Sequence, residues 1–540
     1  MTTQEFKTKA TALIDDLKGV CANYGLGNDG NEFKIITQVF LYKFLNDKFA
    51  HEVKRIDPTL AAAESWEDAL RTQSDEDYAM LLMQLGAGTA RLMPRHFLST
   101  IWSQQNDANF ADTLDATLLD LAALNADIFS VMTNDGQKIV LFDPVTRYVA
   151  SQRDDFAKAL INKLIPFSFE RIFAEKFDFY ATLFEYLIKD YNKDGGGKYA
   201  EYYTPHAVAK IMAACLVHGE VQNVTCYDPA AGSGTLLMNL AHAIGEERCT
   251  LYTQDVSQKS SSLLRLNLIL NNLVHSIPHV IQGNTILSPY HREDKSTRLR
   301  RFDYIVSNPP FKLDFSDFRD QLGTKENHER FFAGIPKTSP KSKDKMAIYL
   351  LFIQHIMHSL TEKGRAAVVV PTGFITAQSG IEKKIRERLV ERKMLGGVVS
   401  MPSNIFATTG TNVSILFIDA TNRGEVVLID ASGMGEKVKE GKNQKTLLRP
   451  EEEERIIATF NAKEAVEDFS VVVSYDEIAA KNCSFSAGQY FDVKVEYVEI
   501  TAEEFGEKMD GFQERLSGLF GESRELEIAI STQLATLKYE

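Results

Sequence analysis

The chain contains 540 residues, of which 44% are hydrophobic and 25% are charged, and its formal net charge is −14 at pH 7. This length exceeds what one hydrophobic core usually supports, so two or three domains are expected. The acidic balance argues against a protein that grips nucleic acid over its whole surface. It leaves room for a local basic groove or for DNA affinity supplied by a partner.

Two further features of the composition bear on location and metal binding. No stretch approaches the apolar span that a bilayer requires, and the first residues lack the basic and apolar regions of a signal peptide. The five cysteines are scattered, without the paired spacing of a metal site. We therefore expect a cytoplasmic protein with no membrane segment and no metal.

The first part of the chain has the pattern of packed helices. Within 32–49, apolar residues recur at spacings of three and four, as they do on the buried face of a helix. Similar patterns follow at 78–85 and 113–123, and none of these segments carries a catalytic constellation. The sequence therefore predicts a helical N-terminal domain over residues 1–165.

Strand and helix patterns alternate after residue 223, which is the signature of a parallel α/β sheet. The pattern predicts a Rossmann-like, doubly wound sheet of about seven strands with one late antiparallel hairpin. Ligands of such sheets lie beyond the carboxyl ends of the strands. The predicted strands are Val224–Tyr227, Thr250–Gln254, His279–Gln282, Phe302–Val306, Ala366–Val370, Gly397–Met401 and Val413–Ile418.

The stretch Asn308–Phe311 follows one of these strands and stops it, because the second proline can neither donate to a sheet ladder nor continue the strand. The side-chain oxygen of Asn308 and the carbonyl oxygen of Pro309 could accept the two hydrogens of an exocyclic amine, while Phe311 stacks on the ring. Such acceptors direct the lone pair of the amine outward, toward an activated methyl group. A plain proline turn is the alternative, and the motif alone does not decide.

The first predicted strand runs directly into the sequence Asp-Pro-Ala-Ala-Gly-Ser-Gly-Thr, residues 228–235, and then into a helix. Its two glycines allow the backbone to approach a ligand closely. It lacks the third glycine of a dinucleotide fingerprint and the Gly-Lys-Ser/Thr ending of a phosphate-binding loop. The next strand ends at Asp255, whose carboxylate could accept both hydroxyls of a ribose. A ribose-bearing cofactor is the better interpretation, and a tight turn is the alternative.

A third motif, Tyr203-Thr204-Pro205, stands ahead of the glycine loop. Thr204 is a predicted helix N-cap, with Pro205 at the favoured first helical position. This arrangement would present Tyr203 at a helix entrance. A capped helix without further function is the alternative.

Together these motifs resemble the amino-group DNA methyltransferases that use S-adenosylmethionine. Their order, with the Tyr-Thr-Pro motif first and the Asn-Pro-Pro-Phe motif last, resembles the gamma arrangement of N6-adenine enzymes. Four further segments narrow the resemblance to the modification subunits of type I restriction-modification systems: Gly364–Pro371, Met401–Phe406, Thr409–Asn412 and Ser486–Tyr490.

The resemblance implies roles for individual residues. A catalytic set, Asn308, Pro309, Pro310 and Phe311, would receive an adenine flipped out of the duplex, since its amine lies inside the base stack. Where the family commonly has an acid that meets the adenine of the cofactor, this chain has Asn284, so an altered cofactor affinity is expected. The implied cofactor-binding residues are Tyr203, Thr204, Pro205, Asp228, Ala230, Gly232, Gly234, Thr235, Asp255 and Asn284.

The resemblance also implies an organisation and a set of partners. A methyltransferase domain, 166–475, would precede a helical tail for subunit assembly, 476–540. The hydrophobic pattern of this tail predicts a helix that is interrupted near residues 520–522. The implied partners are double-stranded DNA, a specificity subunit that selects the sequence, and a restriction subunit, with two modification subunits per specificity subunit.

Three alternative functions remain open at this level. N4-cytosine methylation uses a similar amine, and methylation of a protein glutamine is a weaker rival. A non-catalytic assembly subunit that binds the cofactor would tolerate loss of the Asn-Pro-Pro-Phe motif, which is intact here. A further hypothesis concerns the loop 312–345, whose lysines could track phosphates while Phe331 and Phe332 fill the gap left by a flipped base. A solvated loop is the alternative.

Overall fold

A computed structural model describes residues 3–27, 30–170, 173, 204–293, 296–338, 343–406, 412–440, 443–491 and 500–536. The chain divides into two compact units, Met1–Tyr490 and Phe491–Glu540. The predicted domain boundaries at residues 165 and 475 stay predictions.

A large mixed sheet forms the centre of the first unit. Within the described ranges it contains eleven strands in the order β13-β10-β8-β9-β7-β6-β3-β4-β5-β1-β2, and a separate hairpin pairs β11 with β12. The strands are β1 (Val131–Thr133), β2 (Lys138–Ile139), β3 (Val224–Asp228), β4 (Cys249–Asp255), β5 (Val280–Gln282), β6 (Phe302–Ser307), β7 (Leu360–Pro371), β8 (Leu395–Ser400), β9 (Val413–Asp419), β10 (Val426–Asp430), β11 (Glu436–Glu440), β12 (Asn443–Leu447) and β13 (Ser470–Val473).

Seven of these strands are the ones that the sequence predicts, and they lie side by side from β8 to β5. Six of them run parallel, and β9 is antiparallel to both of its neighbours, β7 and β8. Strand order reverses between β3 and β6, where such sheets open a crevice at their carboxyl ends. The predicted doubly wound sheet with a late antiparallel hairpin is confirmed.

Helices surround the sheet and make up most of the N-terminal region. None in the described part of the chain is long and apolar enough to cross a membrane. The helices are α1 (Thr3–Asn23), α2 (Gly30–Ile56), α3 (Pro58–Ala62), α4 (Trp66–Arg71), α5 (Asp75–Gln84), α6 (Leu98–Ser103), α7 (Phe110–Leu124), α8 (Ala126–Phe129), α9 (Arg153–Leu164), α10 (His206–Leu216), α11 (Thr235–Ile244), α12 (Gln258–Leu270), α13 (Tyr349–His358), α14 (Gly373–Thr376), α15 (Gly380–Glu391), α16 (Pro450–Ala462), α17 (Tyr475–Ala480) and α18 (Ala502–Thr536).

The N-terminal region also contributes to the sheet, which the sequence did not predict. Strand β1 pairs in parallel with β5, and β2 pairs with β1 as the outermost strand. Buried Arg265 on α12 fastens this region by donating hydrogen bonds to the carbonyl oxygens of Phe129, Ile139, Val140 and Leu141. Burial lowers the pKa of this guanidinium to about 10.

The second unit is described by one long helix, α18, of 35 residues. The interruption expected near residues 520–522 is absent from it, so that expectation is wrong. Gly521 lies in the interior of this helix. A single glycine lowers the stability of a helix by about 1 kcal/mol, which is too little to end a helix of this length.

The turn between β3 and α11 requires glycine at its end. Gly234 adopts a φ of +87°, and a Cβ built there would overlap Cδ1 of Leu264, a buried side chain of α12. The amide of Asn267, on the same helix, donates to the carbonyl oxygen of Ser233 at 2.8 Å. Close packing on α12 therefore fixes the path of this turn.

We expect Gly234→Ala to lower the free energy of unfolding by about 2–3 kcal/mol, because it combines an unfavourable positive φ with displacement of Leu264 in a packed core. Gly219→Ala is the matched control, since Gly219 has a φ of +70° and nothing within 4 Å of its Cβ position. The control should lose only about 1 kcal/mol. Urea denaturation of both variants measures the difference, and equal losses would contradict the packing argument.

Candidate active site

Two carboxylates at the ends of neighbouring strands hold the glycine loop. Asp255, at the end of β4, accepts the N–H of Gly232 at 2.9 Å and that of Ser257 at 2.8 Å. Asp228, at the end of β3, accepts the N–H of Ala230 at 2.9 Å and the hydroxyl of Ser307 at 3.0 Å. The loop is therefore tied to both strands through charge-assisted hydrogen bonds.

Burial sets the electrostatics of these two groups. Asp228 is 1% exposed, and burial raises its pKa to about 7, with a further contribution from the charge of Asp255. Burial also raises the pKa of Asp255, which the N–H groups of Ser257 and Gly232 oppose. A cation placed beside Asp228 would favour its ionised form.

Asn308 follows the last residue of β6 and lies at the same carboxyl edge as Asp228. Its Nδ2 donates to the hydroxyl oxygen of Thr204 at 3.2 Å. With the side-chain amide oriented in this way, its carbonyl oxygen remains as the acceptor.

The helix start at this point differs from the prediction. Pro205, not Thr204, is the N-cap residue of α10, which begins at His206, and no side chain caps this helix end. The hydroxyl of Thr204 meets Asn308 instead. The predicted capping role of Thr204 and the predicted helical position of Pro205 are therefore wrong, because tertiary contact with the Asn-Pro-Pro-Phe turn takes precedence over local capping.

A single cavity of about 210 Å³ joins the three predicted motifs. It lies at the carboxyl edge of β3, β4 and β6, and most of its lining comes from the glycine loop and from the turns after these strands. The predicted site residues that line it are Thr204, Asp228, Ala230, Gly232, Thr235, Asp255, Asn284, Asn308 and Pro310.

The other predicted site residues do not line this cavity. Pro205 and Pro309 are buried beside lining residues, and Gly234 shapes the loop from behind. Phe311 is half-buried, with its ring centroid 6.1 Å from that of Tyr349. The prediction for Tyr203 falls outside the described residues.

Asn284 has a structural task in this cavity wall. Its side-chain oxygen accepts the N–H groups of Ile286 and Leu287, both at 3.0 Å. The neighbouring hydroxyl of Thr285 donates to the carbonyl oxygen of Pro229 at 2.7 Å, which ties this turn to the glycine loop. The amide NH₂ of Asn284 is therefore the group that remains for a ligand, and it is a donor, whereas a carboxylate could only accept.

Sequence reasoning missed several lining residues. Val256, directly after Asp255, is 68% exposed and forms part of the cavity wall, together with the apolar side chains of Ile286, Leu313 and Phe352. An apolar residue directly after an acid that ends a strand is a signal that could have identified Val256. The other three lie in loops or helices whose position the local pattern does not give.

A buried arginine behind the cavity was also missed. Arg330, 1% exposed, donates to the carbonyl oxygens of Thr285 and Ile286 at 2.7 and 2.8 Å. Its Nε donates to Nδ1 of His355 at 3.1 Å, and burial lowers the pKa of this arginine to about 10. It thus supports the turn that carries Asn284. One arginine among many charged loop residues gave no signal in the sequence.

Comparisons with known proteins agree with this geometry. The N-6 DNA methylase family model matches residues 175–498. The chain is 26% identical to the type I restriction enzyme MpnII methylase subunit of Mycoplasma pneumoniae, over 66% of this chain and 65% of that protein. It is also 26% identical to the type I restriction enzyme MjaIX methylase subunit of Methanocaldococcus jannaschii, over 70% of this chain and 67% of that protein. The matches thus span about two thirds of the length of these relatives.

A solved structure shows the same fold. It is the crystal structure of the type I restriction-modification system methyltransferase subunit from Streptococcus thermophilus, with a TM-score of 0.66 and 22% identity, covering 91% of this chain and 100% of that one. The predicted resemblance to S-adenosylmethionine-dependent N6-adenine DNA methyltransferases, and to type I modification subunits among them, is confirmed. The family model matches more than half of the residues of this chain, so the chain belongs to the N-6 DNA methylase family.

Proposed function

We propose that this protein is the modification subunit of a type I restriction-modification system and transfers a methyl group from S-adenosylmethionine to the N6 amine of a flipped adenine in DNA. The observation that carries the proposal is the single cavity shared by the glycine loop, Asp255 and Asn308. A methyl donor and an amine acceptor can meet only where their binding groups share one space.

The donor set of the cavity fits the proposed cofactor. Asp255 uses each carboxylate oxygen once for a backbone N–H, so each oxygen keeps a lone pair for a ribose hydroxyl. The apolar side chains of Val256 and Phe352 suit the flat faces of an adenine ring. Asp228 supplies negative charge for a cationic ligand. When bound, S-adenosylmethionine would supply an electrophilic methyl group on a positively charged sulfur.

The acceptor side of the reaction rests on Asn308. Because its NH₂ donates to Thr204, its side-chain oxygen can accept one hydrogen of the adenine amine, and the carbonyl oxygen of Pro309 is the proposed acceptor of the other. Phe311 is the proposed stacking partner of the adenine ring. We assign no general base, since acceptors that orient the amine lone pair make direct attack on the methyl group sufficient. The bond from sulfur to the methyl carbon would break as the bond from N6 forms, which would leave a neutral thioether, and the extra proton of the methylated amine would pass to solvent.

The rival functions receive less support. The family match is to N-6 methylases, which favours adenine over N4 of cytosine. A non-catalytic subunit would need no oriented amide, whereas the Asn308 side chain is held by Thr204 at the cavity wall.

The long helix α18 is the proposed contact with the specificity subunit. Its apolar residues Phe505, Met509, Phe512, Leu516 and Leu519 are all exposed and follow one another at spacings of four and three. This spacing forms the apolar seam of a coiled coil, which needs a partner helix. Two modification subunits per specificity subunit, a restriction subunit that cleaves, and a cytoplasmic location beside the DNA complete the proposal.

The central test is transfer of tritium from labelled S-adenosylmethionine to DNA, followed by nucleoside analysis. With the specificity subunit present, label should appear in N6-methyladenosine. Asn308→Ala should lower the transfer rate at least about 100-fold and leave cofactor binding intact, because only the acceptor side loses a group. Label in N4-methylcytosine, or full activity of the variant, would contradict the proposal.

Thr204→Val should lower the same rate about tenfold, since it removes the acceptor that orients the Asn308 amide while keeping the side-chain shape. Thr204→Ser retains a hydroxyl and is the control, with a rate close to that of the wild type. If both variants behave alike, Thr204 does not position Asn308.

Cofactor affinity should rise with pH. The pKa of Asp228 is about 7, so the group is mostly neutral at pH 6 and mostly charged at pH 8, and the charged form attracts a cationic cofactor. We expect the affinity for S-adenosylmethionine to increase up to about tenfold between these pH values and to level off above them. Titration calorimetry of Asp228→Asn should show that its cofactor affinity depends less on pH. If the pH dependence equals that of the wild type, a group other than Asp228 causes it.

Charges placed in the α18 seam should prevent assembly. Leu516→Glu with Leu519→Glu interrupts the seam, whereas Ser517→Glu with Gly518→Glu places the same two charges on the far side of the helix. Size-exclusion chromatography with the specificity subunit should show a complex for the second pair and none for the first. Equal behaviour of the two pairs would remove α18 from the interface.

A further inference from the structure

A second and larger cavity lies at the edge of the sheet opposite the candidate active site. Its volume is about 840 Å³, and it is bordered by Arg301 just before β6, by Met394 just before β8 and by the start of β7. We call it the arginine cavity, after the four arginines that line it: Arg301, Arg388, Arg392 and Arg423.

The charge of the arginine cavity is not neutralised by ion pairs. In the described part of the chain, none of its four guanidinium groups lies within 4.0 Å of a carboxylate oxygen. Two glutamates, Glu329 and Glu362, also line the cavity. Burial and the nearby Arg330 and Arg301 lower the pKa of its one histidine, His358, which is therefore neutral at pH 7. Positive charge remains in excess, in a protein whose overall charge is −14.

Two of the arginines are held in place by contacts with uncharged groups. The guanidinium of Arg388 stacks over the ring of Phe332, 4.4 Å from its centroid, which leaves the N–H edge for another partner. Arg423 donates through Nη1 to the carbonyl oxygen of Lys393 at 2.6 Å. Both side chains therefore lose less conformational freedom when a ligand binds than free arginines would.

The remaining walls are apolar and the size is that of a small-molecule site. Met357, Leu360 and Met394 face the same space as the arginines. Ligand pockets usually measure about 300–1,000 Å³ and combine apolar walls with a few polar groups. A single small anion would leave most of this volume empty, whereas a nucleotide-sized molecule could meet both the arginines and the apolar wall.

The arginine cavity is separate from the candidate active site. Strand β6 has Arg301 before its first residue and Asn308 after its last, and a strand of six residues spans roughly 20 Å. A ligand of nucleotide size in one cavity therefore does not line the other. This separation means that the charge here is not explained by methyl transfer.

We propose that the arginine cavity binds a phosphate-bearing ligand of about nucleotide size. A guanidinium group can donate two hydrogen bonds to two oxygens of one phosphate, and the four guanidinium groups without a carboxylate partner line one space. The same chemistry is offered by a free nucleotide and by the backbone of a nucleic-acid strand. The inference does not depend on the proposed methyl transfer.

The test is titration calorimetry of the full chain at 150 mM salt with inorganic tripolyphosphate, a probe that lacks the adenosine recognised by a methyltransferase. Arg388→Gln with Arg392→Gln should weaken binding at least tenfold. Arg55→Gln with Arg71→Gln, an equal loss of charge on the N-terminal helices, should leave it unchanged. S-adenosylmethionine affinity should be the same in all three proteins, which shows that the variants are folded. The exposed Arg301→Gln serves as a second variant and should weaken binding on its own.

Further probes separate the two sources of phosphate. Tighter binding of ATP than of tripolyphosphate, lost in the double variant, would support a free nucleotide with its base on the apolar wall. Tighter binding of a twelve-base-pair duplex, lost in the same variant, would support a nucleic-acid backbone. The proposal is overturned if no phosphate probe binds, if the double variant and the control bind equally, or if a glutamate decapeptide binds there more tightly than every phosphate probe.

Discussion

The candidate active site depends on two carboxylates that hold a loop in place. Asp228 and Asp255 end neighbouring strands, and each accepts a backbone N–H from the loop between them. Removing a carboxylate from water costs several kcal/mol, and hydrogen bonds to a charged group return about 1.5–3 kcal/mol each. The loop hydrogen bonds thus offset part of the cost of burial, and the raised pKa of both groups reflects the part that remains. The two side chains in turn fix the loop.

The acceptor side is fixed by different means. Strand β6 has to end where two prolines follow it, so Asn308 stands at the carboxyl edge next to Asp228, and Ser307 bonds to that aspartate. Thr204 then orients the Asn308 amide from the segment before α10. Three chain segments that are distant in sequence meet here because the strand order reverses between β3 and β6.

The sequence predicts a strand or helix only where the hydrophobic pattern is long enough to show its period. The seven central strands are found because each is a run of apolar residues flanked by turns, and the motif residues are found because their chemistry is local. Strands β1 and β2, with three and two residues, are too short to show a period. The role of Thr204 and the support from Arg330 arise from tertiary contacts, which local patterns do not encode.

The hypothesis for the loop 312–345 shows the same limit. Phe331 is 5% exposed and belongs to a small hydrophobic cluster with Ile286 and Phe315, so it is not free to replace a flipped base. Phe332 lies under Arg388 in the arginine cavity. Both aromatic residues have structural partners that their position in a charged loop did not reveal.

The sheet edge built from the N-terminal region has a consequence for how the chain folds. Asn134, just after β1, bonds to Gln282, Gln254 and Ser288, and its side chain occupies the space beside Gly283 where a Cβ would stand. These partners are synthesised long after it, so β1 leaves the ribosome with only the two-residue strand β2 to pair with, and without β5. This pairing has a high contact order, and such contacts form late and slowly. The wall that carries Asn284 is therefore expected to be completed only when the first and the middle parts of the chain have come together.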